Sequence, residues 1–249
     1  MDFKGKTVLI TGGASGMGAA CAREFASAGA NVLIVDQKGP LAKRVAAEIG
    51  AQEPLIGDVS DSAFCLKAVE TALARHGRLD ILVNCAGIIF RADALGTPDE
   101  AWRRVMAVNV DGVFYMSRAA VGPMKKRGSG VIVNFGSIWG GVGAAGVLAY
   151  CTSKGAVHNL TRAMALDHVK DGIRINAVCP GEVNTPMLAS GRAVPPTPED
   201  LKKLGEAVVP MGRLADPVEI ARVVVFLASD AASYMTGSLV TVDAGYTAR

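Results

Sequence analysis

The chain has 249 residues, half of them hydrophobic, 20% charged and 5% aromatic, with 26 basic residues against 23 acidic ones for a net charge of +3. That balance excludes a disordered chain, gives no strong basic footprint for nucleic acid, and suits one large domain with its own core. Five scattered cysteines (Cys21, Cys65, Cys85, Cys151 and Cys179) form no CxxC or Cys/His cluster, which argues against a zinc site or a disulfide framework and for a reducing compartment.

In chain order, the first apolar run is Thr7-Val8-Leu9-Ile10, too short for a signal-peptide core and without a cleavage pattern, so a cytoplasmic location is expected. Strands are expected at 6–11, 31–36, 53–58, 80–84, 130–135, 173–179 and 238–242. Most are apolar throughout and rich in β-branched residues, the pattern of a parallel sheet buried on both faces. Helices are expected at 16–28, 40–49, 61–76, 99–127 (broken near Gly112), 150–170 and 217–228. Gly29 and Gly77 stand where a helix should stop. This alternation specifies a doubly wound α/β sheet with right-handed crossovers. Residues 128–153 carry no charge, but their seven glycines are wrong for a spanning helix, and the segment reads as strand, loop and helix start. Residues 186–210 break the rhythm with Pro186, Pro195, Pro196, Pro198 and Pro210. An insertion just beyond the sixth strand reads as a substrate lid or as a plain surface excursion.

The first strand runs into Thr11-Gly12-Gly13-Ala14-Ser15-Gly16-Met17-Gly18, followed by a helix. Glycines let backbone approach a diphosphate closely, and the helix N-terminus offers free N–H groups and partial positive charge. Asp36 ends the second strand, eighteen residues after Gly18. A carboxylate there accepts from ribose hydroxyls and repels a 2′-phosphate, so NAD is favoured over NADP. Asp58-Val59 and Asn84-Cys85-Ala86-Gly87 fall at the same carboxyl edge.

Tyr150 and Lys154 are four residues apart on an expected helix and share one face; Ser137 precedes Tyr150 by thirteen. A tyrosine, with an ordinary pKa of about 10, becomes a usable base only if nearby positive charge stabilises its anion. Such a pair alone is also a common surface pattern.

The combination TGGASGMG, Asp36, NCAG at 84–87, Asn109, Ser137, YCTSK at 150–154, PGEVNTP at 180–186 and the C-terminal MGRLADPVEIARVVVFLASDAASYMTG and VDAG resembles the short-chain dehydrogenase/reductase family nearly end to end. The resemblance implies a single Rossmann-like domain over 1–249 with a seven-stranded parallel sheet, and a catalytic set of Asn109, Ser137, Tyr150 and Lys154. In that set Tyr150 is the general acid/base, Lys154 binds the nicotinamide ribose and depresses the tyrosine, and Asn109 holds a helix kink and a water. It implies cofactor contacts from Gly12, Ser15, Gly16, Met17, Gly18, Asp36, Asp58, Val59, Asn84, Ala86, Gly87, Pro180, Gly181, Val183 and Thr185. It also implies a homotetramer built on helices near 112–127 and 150–170. One departure is Cys85, where the family has asparagine, which puts some strand-to-strand support in doubt.

Substrate contacts are expected from Arg91, Ser137, Trp139, Glu182 and Arg192. Their bland readings are loop arginines, a core tryptophan and a turn cap. Cys151 with His158 fits packing better than a nucleophile pair. No metal, nucleic-acid or membrane partner is expected. The leading reading is an NAD-dependent oxidoreductase of secondary alcohols such as polyols, sugars or hydroxy acids. An NADPH-dependent carbonyl or 3-oxoacyl-thioester reductase and a non-catalytic dinucleotide-binding regulator are the alternatives.

Overall fold

The computed structural model describes residues 1–192 and 194–248. Seven parallel strands form one sheet in the order β3-β2-β1-β4-β5-β6-β7. They are β1 (Thr7–Thr11), β2 (Asn31–Asp36), β3 (Leu55–Ile56), β4 (Ile81–Asn84), β5 (Gly130–Phe135), β6 (Ile173–Pro180) and β7 (Leu239–Val242). The helices are α1 (Gly16–Ser27), α2 (Gly39–Glu48), α3 (Ser62–His76), α4 (Asp99–Met106), α5 (Gly112–Arg127), α6 (Leu148–His168), α7 (Pro198–Val208) and α8 (Pro217–Ala228).

The apolar runs become strands because both faces are covered. One core packs Val8, Ile10, Ile34 and Val83 against α1 and α8; the other packs Leu9, Leu33 and Leu82 against α3 and α5. The chain reverses strand order between β1 and β4, so the loops after these two strands diverge and open a crevice at the carboxyl edge.

The third strand, expected over 53–58, has only two paired residues, because it is an edge with β2 as its one neighbour. The helix break expected near Gly112 is a π-turn at Ala107–Asp111, after which the helix continues. Gly112 has another reason: a methyl there would lie 2.7 Å from the Val59 side chain. The 186–210 segment begins with a 3-10 turn, Pro186–Leu188, and ends in α7, whose start is fixed by a reciprocal Thr197–Asp200 capping box. Ala193, inside it, lies outside the described residues.

Candidate active site

Two adjoining concavities lie along the carboxyl edge. The larger, about 370 Å³, is lined by Gly12, Ser15, Gly16, Met17, Gly18, Asp36, Val59, Ala86, Gly87 and Thr185 among others. The smaller, about 70 Å³, is lined by Arg91, Ser137, Trp139, Tyr150, Pro180, Gly181, Glu182, Val183 and Thr185 among others. Met17, Ile89, Thr185 and Met187 border both, so the two form one continuous cleft.

The larger part fits a dinucleotide for reasons visible in the backbone. Thr11 Oγ1 accepts from the Cys85 and Ala86 N–H groups at 3.1 Å, locking the ends of β1 and β4 together. Gly12 follows at φ +69, and a methyl on it would lie 2.8 Å from Ala86 backbone. A methyl on Gly18 would overlap the Gly12 carbonyl. Side chains here would fill the cradle, whereas glycine leaves backbone open to a diphosphate above the α1 N-terminus. Ser15, the N-cap of α1, makes no capping bond of its own.

Asp36 stands on the cleft wall with its carboxylate fixed from two sides: Ala14 N donates to one oxygen at 3.0 Å and Lys38 N to the other at 2.9 Å. Asp58 is outside the lining; it accepts from Ser60 N and pairs with Arg104 at 2.7 Å. Burial alone would raise the Asp58 carboxyl, but Ser60 and Arg104 outweigh it and hold it below its ordinary value. Arg104 itself lines the cleft, a cation that no local pattern singles out, since its partner lies 46 positions away. Ile88 and Ile89 were also missed, although they directly follow the Asn-Cys-Ala-Gly strand end.

Asn84 lies apart from the cleft. Its amide is buried and donates to Asn134 Oδ1 at 2.9 Å and Ser117 Oγ at 3.0 Å, tying β4 to β5 and α5. Asn134 in turn donates to Thr161 on α6 at 2.9 Å. The support that Cys85 was feared to have lost is therefore carried by its neighbour, and Cys85 packs beside the apolar core.

The catalytic candidates converge. Tyr150 and Lys154 lie one turn apart on α6, both buried. The Tyr150 ring stands edge-on to Trp139 at 6.1 Å, and Lys154 Nζ is 5.6 Å from its centroid. Lys154 donates to the Phe135 carbonyl at 2.7 Å, and a methyl on Gly87, which lines the cleft, would lie 3.7 Å from Nζ, so the ammonium lies just behind the lining. The π-turn presents Asn109, which clamps the loop after β4: its Oδ1 accepts from Ile88 N at 2.8 Å and its Nδ2 donates to Ile88 O at 2.9 Å. Nδ2 also donates to Ser153 Oγ at 2.9 Å, joining that loop to α6. Ser137 accepts from Trp139 N at 3.2 Å, which leaves its hydroxyl proton for Tyr150.

The chain's own groups leave the phenol high. Burial pushes the Tyr150 phenol up to about 12, more than the Ser137 hydrogen bond pulls it down. Burial also pushes Lys154 down to about 8. The ammonium, engaged with Phe135 O, does not by itself make the phenol acidic; Ser137 is the group that lowers it. Beneath Ser137, a buried His158 accepts from Ser137 N at 3.4 Å and lies 3.2 Å from Cys179 Sγ, which explains its packing role. Arg192 is exposed and outside the lining, but its charge reaches Arg91 and Glu182.

A glycine cradle at the switch point, beside a buried tyrosine–lysine pair, defines a dinucleotide oxidoreductase. A family model described as Enoyl-(Acyl carrier protein) reductase matches residues 12–247. The chain is 43% identical to galactitol 2-dehydrogenase (L-tagatose-forming) of Cereibacter sphaeroides over 99% of each chain. It is 41% identical to meso-2,3-butanediol dehydrogenase of Serratia marcescens over all of this chain and 97% of that one. Among solved structures, 3-ketoacyl-(acyl-carrier-protein) reductase from Brucella melitensis, complexed with NADH, superposes with a TM-score of 0.89 at 37% identity, covering 98% of this chain and 99% of that one. The chain belongs to the short-chain dehydrogenase/reductase family and is an oxidoreductase acting on CH–OH groups with a nicotinamide dinucleotide.

Proposed function

We propose that the protein oxidises a secondary alcohol to its ketone with NAD. The observation that carries the cofactor choice is Asp36: a carboxylate pinned by Ala14 and Lys38 on the cleft wall accepts from a free ribose diol and repels a 2′-phosphate. The relatives named for galactitol and 2,3-butanediol support the alcohol class. Gly12, Ser15, Gly16, Met17 and Gly18 hold the diphosphate side, Asp58, Val59, Ala86 and Gly87 the adenosine and middle portions, and Pro180, Gly181, Val183 and Thr185 the nicotinamide side. Asn84 acts only through the sheet.

Bound NAD supplies the hydride acceptor and, while oxidised, a cationic ring. Tyr150 acts as its phenolate, its own proton released to solvent once positive charge beside it favours the anion: Oη takes the hydroxyl proton of the alcohol as the carbinol C–H pair leaves and the C=O bond forms. Ser137 turns its one hydroxyl proton from Tyr150 to the substrate oxygen and orients it. Lys154 holds the ribose and adds positive charge below the phenol. Asn109 keeps the loop after β4 and α6 in fixed register. The 186–210 segment serves as the lid, supported by Pro186, Met187, Leu188 and Ser190, which line the cleft.

The assembly is a homotetramer, supported by apolar side chains left exposed on the helices expected to pair: Phe114 on α5 and Leu166 on α6. The compartment is the cytoplasm, supported by five free cysteines; among the described residues no helix is long and apolar enough to cross a membrane. Light scattering checks the assembly.

The reductase reading keeps a foothold in the names of the matching family model and of the NADH-bound neighbour. One measurement decides: kcat/KM with NAD is expected to exceed that with NADP by about 100-fold, the worth of placing a phosphate against a carboxylate. A preference for the phosphorylated cofactor, or turnover of acyl thioesters above secondary alcohols, overturns the reading.

A further inference from the structure

One wall of the smaller pocket carries charge that the proton transfer does not use. Arg91, in the loop after β4, is only partly exposed. Its Nε donates to the Ser190 carbonyl at 3.0 Å, which fixes the guanidinium and leaves its two terminal nitrogens with no hydrogen-bond or ion-pair partner among the described residues. Glu182 faces the same pocket, and its carboxylate likewise has no such partner among the described residues. Arg192 is held by a bond from its Nε to Leu188 O at 2.8 Å, and its charge acts on both. Burial raises the Glu182 carboxyl and lowers the Arg91 guanidinium, so each has lost water without gaining a full partner. Two cations against one carboxylate leave positive charge in surplus beside Tyr150.

A half-buried guanidinium with a free pair of N–H donors is costly to maintain, and its natural complement is a carboxylate bound through two parallel hydrogen bonds. At about 70 Å³ the pocket has room for about five water-sized groups at roughly 10–15 Å³ each. Ile89, Met17 and Leu188 close its length. Resting on the alcohol-oxidising reading above, we propose that the substrate is a short hydroxy acid whose carboxylate docks on the terminal nitrogens of Arg91. Glu182 accepts a hydrogen bond from a second hydroxyl where the acid carries one, and Arg192 offsets the repulsion between the two carboxylates.

The test compares matched pairs on the whole protein with saturating NAD: lactate against 1,2-propanediol, and 3-hydroxybutyrate against 1,3-butanediol. The wild type is expected to favour at least one acid over its diol, and Arg91→Gln to cut that acid-to-diol ratio of kcat/KM by about 100-fold, with Arg91→Lys between them. A purely structural role for Arg91 at the lid lowers both substrates together and leaves the ratio alone. As a second readout, butyrate, which cannot be oxidised, competes with a neutral diol in the wild type, and its inhibition constant rises at least about tenfold in Arg91→Gln. A wild-type ratio at or below one for every pair, or a ratio and a butyrate constant untouched by Arg91→Gln, overturns the proposal while diol oxidation still upholds the dehydrogenase reading. Failure of every alcohol to yield NADH overturns that reading, and the proposal falls with it.

Discussion

The two edges of the sheet treat buried charge in opposite ways. At the amino edge, Asp80 is almost wholly buried and fully engaged: Thr7 N donates to it at 2.9 Å, Arg78 grips it through two bonds of 2.7 and 2.6 Å, and Arg127 lies at 3.4 Å. Burial alone would raise this carboxyl, yet Arg78, Thr7 and Arg127 outweigh it and hold it below its ordinary value. At the carboxyl edge, Tyr150, Lys154, Arg91 and Glu182 are buried or half-buried, and in each burial is the leading influence and disfavours the charged form. The amino edge spends its charges on the fold. At the carboxyl edge Asp58 is matched by Arg104, but the pocket around Tyr150 keeps its charges incompletely matched, in the place where a ligand would complete them.

The sharpest way to break this contrast is to remove the proton carrier. Tyr150→Phe keeps the ring against Trp139 and deletes one oxygen. Turnover of a secondary alcohol is expected to fall about 10³-fold. NADH fluorescence titration is expected to show binding weakened by less than about tenfold, because the glycine turn and Asp36 remain. Residual turnover within tenfold of the wild type would show that another group moves the proton.

The corresponding change at the other edge, Asp80→Asn, is smaller and of a different kind. It leaves Arg78 and Arg127 facing a neutral amide, and it is expected to cost about 2 kcal/mol, which lowers Tm by about 4–8 °C in a chain of this size. The pH sign follows from the lowered carboxyl. Asp80 contributes its stability above the unfolded value of 3.8 and loses it as pH falls through the lower folded value. Wild type and variant should therefore converge in acid, which thermal melts between pH 7 and pH 3 can follow.

Much of this contrast was legible in the sequence, for a specific reason. Four strands end in glycine, aspartate or asparagine, so polarity itself marks one edge, and the four-residue spacing of Tyr150 and Lys154 needs only a helix to bring them together. Asn84 was placed in the cofactor site because a strand end does not reveal which way a side chain turns; here it turns inward to Asn134. The π-turn that presents Asn109 has no local signature, so the residue pattern alone put the break near Gly112, and only the family resemblance pointed to a kink at Asn109. The high phenol value was out of reach because burial is a property of the packed chain, whereas charge neighbours can be guessed from spacing. For the same reason the Asp58–Arg104 pair, far apart in sequence, left no trace in it.

The smallest expected effect sharpens the comparison most. If Lys154 is held uncompensated for the sake of chemistry, removing its charge should stabilise the fold while it abolishes turnover. Lys154→Met keeps an unbranched side chain one atom shorter and forgoes the bond to Phe135 O. A gain of about 1 kcal/mol is expected at pH 7, since a buried ammonium with one neutral acceptor costs more than an apolar side chain of similar volume. The ammonium's folded value of about 8 lies below its ordinary 10.5, so the wild type carries the full penalty below pH 8. Between about 8 and 10.5 the unfolded chain binds more protons than the folded one, and wild-type stability rises toward that of the variant. Urea melts at pH 7 and pH 10 should thus show a difference that shrinks with alkalinity. A variant less stable than the wild type at pH 7 would mean that Lys154 contributes to the fold as Asp80 does, and the two edges would no longer be opposites.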